Sequence, residues 1–361
     1  MVTPKRGKPH SSPDHRRSWR LAAGCLISAG VVVALLRTVD VHEAVTAFLA
    51  FPTGDVFLVL VIYLVGLILK AERWKIILGR YYTRGRGPVY ESLVVGFALN
   101  AVLPLHGGDL ARALLVAGDR SASRSWAAVT LIIERVFDLG TIALLVIIAA
   151  LTATAPGWIS RPTVVLALGT LVASGILVIG WRVAVAAGLT PTSGLARLAT
   201  WLLRSRLGAR WNLHADLGQI GPSLEAMTTG RALITIGILS LAIWGLNALF
   251  LGATLQALTI RLSVPGLILL TGALALGLTA PASPGGIGVY QGIVVVVLGL
   301  FGVASDRALA AGIAAHVLSY VPVTLVGLIL LLSKTARGTK NEDSATIVAP
   351  LVEGAVPRQG S

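Results

Sequence analysis

The sequence predicts an all-α protein that crosses a membrane several times. Of its 361 residues, 55% are hydrophobic and 13% are charged, whereas soluble domains carry roughly 25% charged residues. Long charge-free runs recur along the chain, which is typical of spanning helices and not of the short alternating strands of an outer-membrane barrel. We predict about six spanning helices and two broken segments, or roughly eight to ten hydrophobic segments if the broken ones are counted as spans.

The charge pattern points to a membrane surface. The net charge is +14, and the basic residues lie mostly between the apolar runs, where they suit anionic lipid headgroups and not nucleic acid. The single cysteine, Cys25, excludes an internal disulfide and cysteine-based zinc motifs. The sequence contains neither a P-loop nor a histidine-rich cluster, so we predict no metal site and no cofactor.

The chain divides into three parts. Residues 1–18 are polar and basic and are predicted to be a disordered cytoplasmic N-terminus, and residues 333–361 to be a disordered cytoplasmic tail. Residues 19–332 form the predicted transmembrane domain. Within it, residues 190–230 interleave arginines with leucines and tryptophans, which indicates a cytoplasmic amphipathic segment.

The apolar runs predict spanning helices at about residues 19–36, 56–75, 126–152, 163–183, 233–258 and 307–332. Basic residues concentrate before the first helix and after the second, the fourth and the last. The positive-inside rule therefore places both termini in the cytoplasm of a cell-membrane protein. Four charged residues end the second helix, and we expect most of them to snorkel to the interface: Lys70, Glu72, Arg73 and Lys75.

Two apolar segments are broken by proline and glycine. The arms of residues 89–117 are about 14 and 10 residues long, below the roughly 20 that a spanning helix needs, so we predict a re-entrant hairpin from the cytoplasm. The arms of residues 264–303 are about 17 and 18 residues long. A deep hairpin from the outside is favoured there, and two full spans remain the alternative.

The two breaks resemble each other. The first tip, residues 103–108, and the second tip, residues 282–287, each combine a proline with a Gly-Gly pair. With their flanking helices they predict an inverted repeat, the layout of many transporters. Irregular backbone at membrane depth survives only against protein or a water-filled cavity, and restarted helices attract anions. Facing tips would make a phosphate-sized site, whereas the structural alternative is a pair of tight turns that bind nothing.

Charged residues inside the predicted spans mark candidate site residues. Glu134, Arg135 and Asp138 each cost about 2.5–3.5 kcal/mol at a helix centre, so they need partners or a task. Arg135 and Asp138 are three residues apart and can pair as a structural salt bridge. After the first tip, Asp109 is placed to cap the new helix and Arg112 to clamp a phosphate.

Two further polar residues have less specific expectations. Asn100, before the first tip, can both donate and accept hydrogen bonds. His316 is the one histidine of the predicted last helix. A lone buried histidine is more often a satisfied hydrogen-bonding residue than a proton relay.

Three ordered motifs carry a family resemblance: NAVLPLHGGDLARALLV, ERVFDLGTIAL and APASPGGIGVYQGIVVVVLGLFGV. They resemble the flippase-like integral membrane family related to the transmembrane region of lysylphosphatidylglycerol synthases. The family's pattern falls on Asn100, Leu103, Pro104, His106, Gly108, Asp109 and Arg112, on Glu134, Arg135 and Asp138, and on Pro284 to Gly288. His106 stands where the family usually has arginine, and Asp109 where it has glutamate. The synthases' soluble aminoacyltransferase domain has no counterpart here.

The resemblance implies movement of a lipid or a lipid-linked sugar between leaflets. We predict a flippase or transporter for an anionic phospholipid or a polyprenyl phosphate, with a separate synthase or glycosyltransferase as a possible partner. The predicted substrate-binding residues are Asn100, His106, Gly107, Gly108, Asp109, Arg112, Glu134, Arg135, Asp138, Ser283, Gly285, Gly286 and Gly288. One alternative is a polyprenyl-phosphate-dependent glycosyltransferase with Glu134 and Asp138 catalytic or metal-binding. The other is an accessory scaffold subunit.

Overall fold

A computed structural model describes most of the hydrophobic part of the chain. The described residues are 46, 49, 51–79, 82, 85–102, 107–117, 121–152, 161–186, 229–278 and 284–338. The predicted N-terminal segment, the helix at residues 19–36, nearly all of the amphipathic segment and most of the tail lie outside them, as do the predicted site residues His106 and Ser283.

The described residues form nine α-helices and one short 3₁₀ turn, with no strand among them. The helices are α1 (Thr53–Leu78), α2 (Arg86–Val102), α3 (Gly107–Ala117), α4 (Ser121–Thr152), α5 (Arg161–Ala186), α6 (Gly230–Ala257), α7 (Val264–Gly277), α8 (Val289–Gly299) and α9 (Ser305–Gly338), and the 3₁₀ turn is Pro284–Gly286.

Three of these helices are long and apolar enough to cross a membrane: α1, α6 and residues 305–333 of α9. Their outward faces carry large apolar side chains that no neighbour covers; for example, Phe57 on α1 is 72% exposed. Such a face is stable against lipid and not against water. The prediction of an all-α polytopic membrane protein is confirmed.

Local sequence explains where several helices begin. The Thr229 Oγ1 atom accepts a hydrogen bond from the backbone N–H of Ala232, and the Ser263 Oγ atom accepts one from Gly266. Each hydroxyl satisfies a backbone donor that the first turn of its helix leaves free. At the other end of the chain, α9 continues to Gly338, so the tail predicted from residue 333 begins as helix.

The arms of the broken segments are shorter than one typical span. In the first, α2 and α3 have 17 and 11 residues. In the second, α7 and α8 have 14 and 11, so the predicted arms of about 17 and 18 residues were wrong. Apolar residues at the turn after α8, up to Val303, had extended the hydrophobic run without extending the helix. Re-entrant insertion of these segments stays a prediction.

Two sets of four helices pack in corresponding ways. If α1, α2, α3 and α4 are exchanged with α6, α7, α8 and α9, the pair α1–α6 maps onto itself. Six further packed pairs each have a packed counterpart under this exchange. The counterpart of α2–α9 is α7–α4, that of α2–α3 is α7–α8, and that of α3–α4 is α8–α9. The counterpart of α1–α2 is α6–α7, that of α1–α4 is α6–α9, and that of α4–α6 is α9–α1. This correspondence is typical of an internal repeat. The inverted orientation of its halves in the bilayer stays a prediction.

Candidate functional site

A buried arginine on α1 lies at the centre of a charged cluster. Arg73 is 0% exposed. Its Nη1 atom donates to the Oδ1 atom of Asp138 at 2.7 Å and to the Oγ atom of Ser240 at 2.8 Å, and its Nη2 atom donates to the Oε1 atom of Glu134 at 3.1 Å. The two carboxylates come from α4 and the hydroxyl from α6. Arg73 belongs to the group of four residues most of which were expected to snorkel to the interface. It points inward instead, because two carboxylates inside the bundle require a cation.

A second arginine reaches the same glutamate from the helix that follows the first tip. Arg112 donates from Nη2 to the Oε2 atom of Glu134 at 2.7 Å. Its guanidinium carbon lies 4.7 Å from the centre of the Trp74 ring, a cation–π arrangement. The Nε and Nη1 atoms of Arg112 are buried, and neither has a hydrogen-bond partner among the residues that the structure describes. Arg112 is 3% exposed, so Nη1 is a buried donor whose hydrogen-bonding capacity no described residue uses.

Asp109 joins this cluster to a third arginine. Its Oδ2 atom accepts a hydrogen bond from Arg135 Nη2 at 2.6 Å, and its Oδ1 atom lies 3.5 Å from Arg112 Nε. The pairing of Arg135 with Asp138 that the spacing allows is not the one observed: Arg135 pairs with Asp109, and Asp138 with Arg73. The Arg135 side chain is 52% exposed and turns toward α3, whereas Asp138 faces Arg73 and accepts a hydrogen bond from Trp244 Nε1 at 3.1 Å.

Asn100 fixes the start of α3. Its Oδ1 atom accepts from the backbone N–H of Asp109 at 3.2 Å, and its Nδ2 atom donates to the Asp109 Oδ1 atom at 3.2 Å. Asn100, which can both donate and accept, does both here. No capping bond of the Asp109 carboxylate is seen among the described residues; this carboxylate contacts Arg135 and Arg112, and Asn100 accepts from the Asp109 N–H.

Glycine permits close packing of the two arms around the first tip. A Cβ atom on Gly108 would clash with the carbonyl oxygen of Gly96 and lie 2.5 Å from the backbone nitrogen of Asn100. A Cβ atom on Gly96 would lie 2.8 Å from that of Arg112. The close approach of α3 to α2 therefore depends on two residues without side chains.

The second tip is held by a histidine and a glutamine. Gly285, Gly286 and Gly288 all have positive φ, at 70°, 68° and 85°. Residues other than glycine rarely adopt this backbone conformation. His316 on α9 approaches the Gly285 carbonyl oxygen with Nε2 at 3.0 Å and the amide nitrogen of Gln291 with Nδ1 at 2.9 Å. The expectation of a hydrogen-bonded histidine agrees with this geometry.

This network determines the tautomer of His316. The Gln291 Oε1 atom accepts a hydrogen bond from Gly288 N–H at 2.9 Å, so its Nε2 atom faces His316 Nδ1 as a donor. The Gly285 carbonyl can only accept. The Nε2 atom of His316 therefore carries the proton and the ring is neutral. Tyr290 stacks on this ring at 4.6 Å and Tyr320 meets it edge-on at 4.4 Å.

The second tip packs against the last turn before the first. A Cβ atom on Gly285 would stand 3.4 Å from the carbonyl oxygen of Ala101, and the 3₁₀ turn Pro284–Gly286 contacts α2. The glycine-rich second break is therefore next to the helix end from which Asn100 reaches α3.

The sequence predicted part of this set of site residues. The structure joins Asn100, Gly108, Asp109, Arg112, Glu134, Arg135 and Asp138 through α2, α3 and α4, and places Gly285 against α2. Gly107 begins α3. Gly286 and Gly288 shape the second tip, and no contact of theirs with the charged cluster is seen among the described residues. The residues missed are Arg73, Ser240 and Trp244. The sequence did contain an indication of Arg73: two carboxylates inside the membrane, Glu134 and Asp138, require a cation as partner.

Fold and site together define a class: a polytopic helical membrane protein with two broken helical segments beside a buried arginine–carboxylate cluster. Comparison of the sequence with known protein families agrees with this class. The profile of the lysylphosphatidylglycerol synthase transmembrane region matches residues 21–327, and the chain belongs to that family.

Two curated relatives show what the chain is similar to. Glycosyltransferase AglD of Haloferax volcanii is 26% identical over 364 aligned positions, covering 93% of this chain and 58% of the relative. A UPF0104 membrane protein of Methanothermobacter thermautotrophicus is 26% identical over 283 positions, covering 73% of this chain and 78% of the relative. The chain thus spans little more than half of the length of the first relative.

Proposed function

We propose that this chain is a lipid flippase or transporter that binds the phosphate of a phospholipid or lipid-linked phosphate headgroup between the two tips and moves it between leaflets. The observation that carries the proposal is the free Nη1 donor of Arg112, buried one turn after the first tip. The packing of Gly285 against Ala101 supports it, because the second tip adjoins the same helix end.

The chemistry of Arg112 favours a phosphate ligand. A buried donor without a partner costs about 1–3 kcal/mol, more when charged, and an anion would satisfy it. Guanidinium groups bind phosphate oxygens through parallel hydrogen bonds. Glu134 accepts from Arg73 and from Arg112 Nη2, and it makes no hydrogen bond to Nη1. In this proposal Asn100, Gly107 and Gly108 shape the binding site with His106, while Arg135 and Asp109 border it.

The repeat supports transport. Corresponding packing of α1–α4 and α6–α9 supplies two halves that can rock against each other around a site at their boundary. The second tip would contribute Ser283, Gly285, Gly286 and Gly288 to the other side of the headgroup. We place the protein in the cell membrane with both termini in the cytoplasm, which follows from the distribution of arginine and lysine.

A second candidate function is a polyprenyl-phosphate-dependent glycosyltransferase, or a subunit that serves a separate one. The name of the Haloferax volcanii relative favours it. Against a catalytic or metal-binding role, the carboxylate oxygens of Glu134 and the Oδ1 atom of Asp138 are bound by arginines. A metal ion would have to displace a buried guanidinium.

The test is a flipping assay in liposomes. Fluorescent phosphatidylglycerol and a polyprenyl phosphate are incorporated with the protein, and their exposure to a membrane-impermeant quencher is followed. We expect the wild type to move at least one of them and Arg112→Ala to lose this activity. Arg86→Ala is the matched control, because that arginine is 67% exposed and pairs with Glu72 at the helix surface. Circular dichroism and gel filtration check that both variants fold.

The outcomes separate the hypotheses. Full transport by a folded Arg112→Ala variant would overturn the site assignment. No transport by the wild type, together with sugar transfer from a nucleotide sugar to the polyprenyl phosphate, would favour the glycosyltransferase. No activity of either kind would favour the accessory scaffold.

A further inference from the structure

A lysine outside the predicted site lies next to the charged cluster. Lys70 precedes Arg73 by one turn of α1, and its Nζ atom is 5.5 Å from the centre of the Phe97 ring on α2. It is within range of electrostatic interaction with two anions, Asp138 and Glu134, and two cations, Arg73 and Arg135. None of the hydrogen bonds or ion pairs within the described part of the chain involves its ammonium group. Instead of snorkelling outward, Lys70 stays between α1 and α2.

The cluster carries more positive than negative charge. Among the residues that the structure describes, its cations are Lys70, Arg73, Arg112 and Arg135. Its anions are Asp109, Glu134 and Asp138. Four cations face three anions, which leaves an excess of one positive charge. The carboxylates hold the three arginines, so the excess charge corresponds to the ammonium group of Lys70. In the described part of the chain, the buried guanidinium nitrogens without a hydrogen-bond partner are Nε of Arg73 and Nε and Nη1 of Arg112.

We propose that Lys70 is a second headgroup ligand and that the site is matched to a lipid phosphodiester with one negative charge. The inference rests on the proposed function and specifies its substrate class. A singly charged phosphodiester brings the buried cluster to neutrality. A diphosphate would leave it with excess negative charge, which is costly to keep where water is scarce. Lys70 supplies a compact charge from α1, and Arg112 a directed donor from α3.

The test measures binding of lipids with different headgroup charge to the purified full-length chain in a neutral detergent. The probes are short-chain phosphatidylglycerol, short-chain phosphatidylcholine, farnesyl diphosphate and the soluble phosphodiester glycerophosphoglycerol. We expect the wild type to prefer phosphatidylglycerol. Lys70→Met should weaken its binding by about tenfold or more, the loss typical of one charged hydrogen bond. Lys70→Arg should largely retain it, and Lys75→Met, five positions further along α1, is the matched control.

Each outcome decides a separate point. Unchanged phosphatidylglycerol binding by Lys70→Met would overturn the role of Lys70. Tighter binding of farnesyl diphosphate than of phosphatidylglycerol by the wild type would overturn the charge matching, and equal affinity for glycerophosphoglycerol would overturn the lipid assignment. If Arg112→Ala loses binding while Lys70→Met does not, the proposed function stands and this inference fails. If neither variant loses binding, both fail.

Discussion

Arg112 and Glu134 form a 2.7 Å ion pair that ties the helix after the first tip to α4. The second oxygen of Glu134 accepts from Arg73 on α1. One carboxylate therefore bridges arginines from two helices, and the position of α3 depends on charges in helices far apart along the chain.

Arg73 is expected to be the charge on which stability depends most. Arg73→Met should destabilise the protein by about 3–5 kcal/mol, because Asp138 and Glu134 would keep their buried charges and lose a common partner. Thermal unfolding in detergent, followed by tryptophan fluorescence, measures this. Arg86→Met, which breaks an exposed pair with Glu72, should change stability by less than about 1 kcal/mol. Similar effects of the two substitutions would contradict the assignment of Arg73 as the central cation.

Gly108 should tolerate no side chain. Gly108→Ala places a methyl group against the Gly96 carbonyl and the backbone of Asn100, so α3 must move away from α2. We expect a lower melting temperature and loss of headgroup binding. Gly237 on α6 provides the control, since nothing lies within 4 Å of an added Cβ there. Gly237→Ala should stabilise the helix by up to about 1 kcal/mol. A Gly108→Ala variant as stable as wild type would show that the arms are not closely packed.

His316 should hold the second tip in place through its two hydrogen bonds. His316→Phe keeps an aromatic ring between Tyr290 and Tyr320 and removes the bonds to Gly285 and Gln291. We expect faster hydrogen exchange at residues 285–288 with little change in the exchange of α6. Tyr320→Phe, which preserves both hydrogen bonds, is the matched control. Unchanged exchange at the tip in His316→Phe would contradict the anchoring role.

The sequence predicted the parts of the fold that depend on local composition. Apolar runs placed α1, α4, α5, α6 and α9, and proline with glycine marked both breaks. The length of the second arms was missed because Leu300 and Phe301 are as apolar in a turn as in a helix, so hydropathy alone does not show where α8 ends.

The sequence predicted most residues of the site but not which of them form ion pairs with each other. Arg135 and Asp138 have the spacing of a helical ion pair, but Asp109 and Arg73 compete for them from other helices. Spacing within one helix cannot show which tertiary partner is nearer. For the same reason Arg73 resembled an interfacial residue: its role depends on where α4 brings Glu134 and Asp138.

The most direct test of a phosphate site at the tips is native mass spectrometry of the gently purified protein. We expect one phospholipid or polyprenyl-phosphate species to remain bound to the wild type and to Arg86→Ala, and to be lost from Arg112→Ala. Gel filtration confirms that all three preparations are folded. The same bulk lipids on all three proteins would contradict the site, and would leave the two breaks as packing devices between helices.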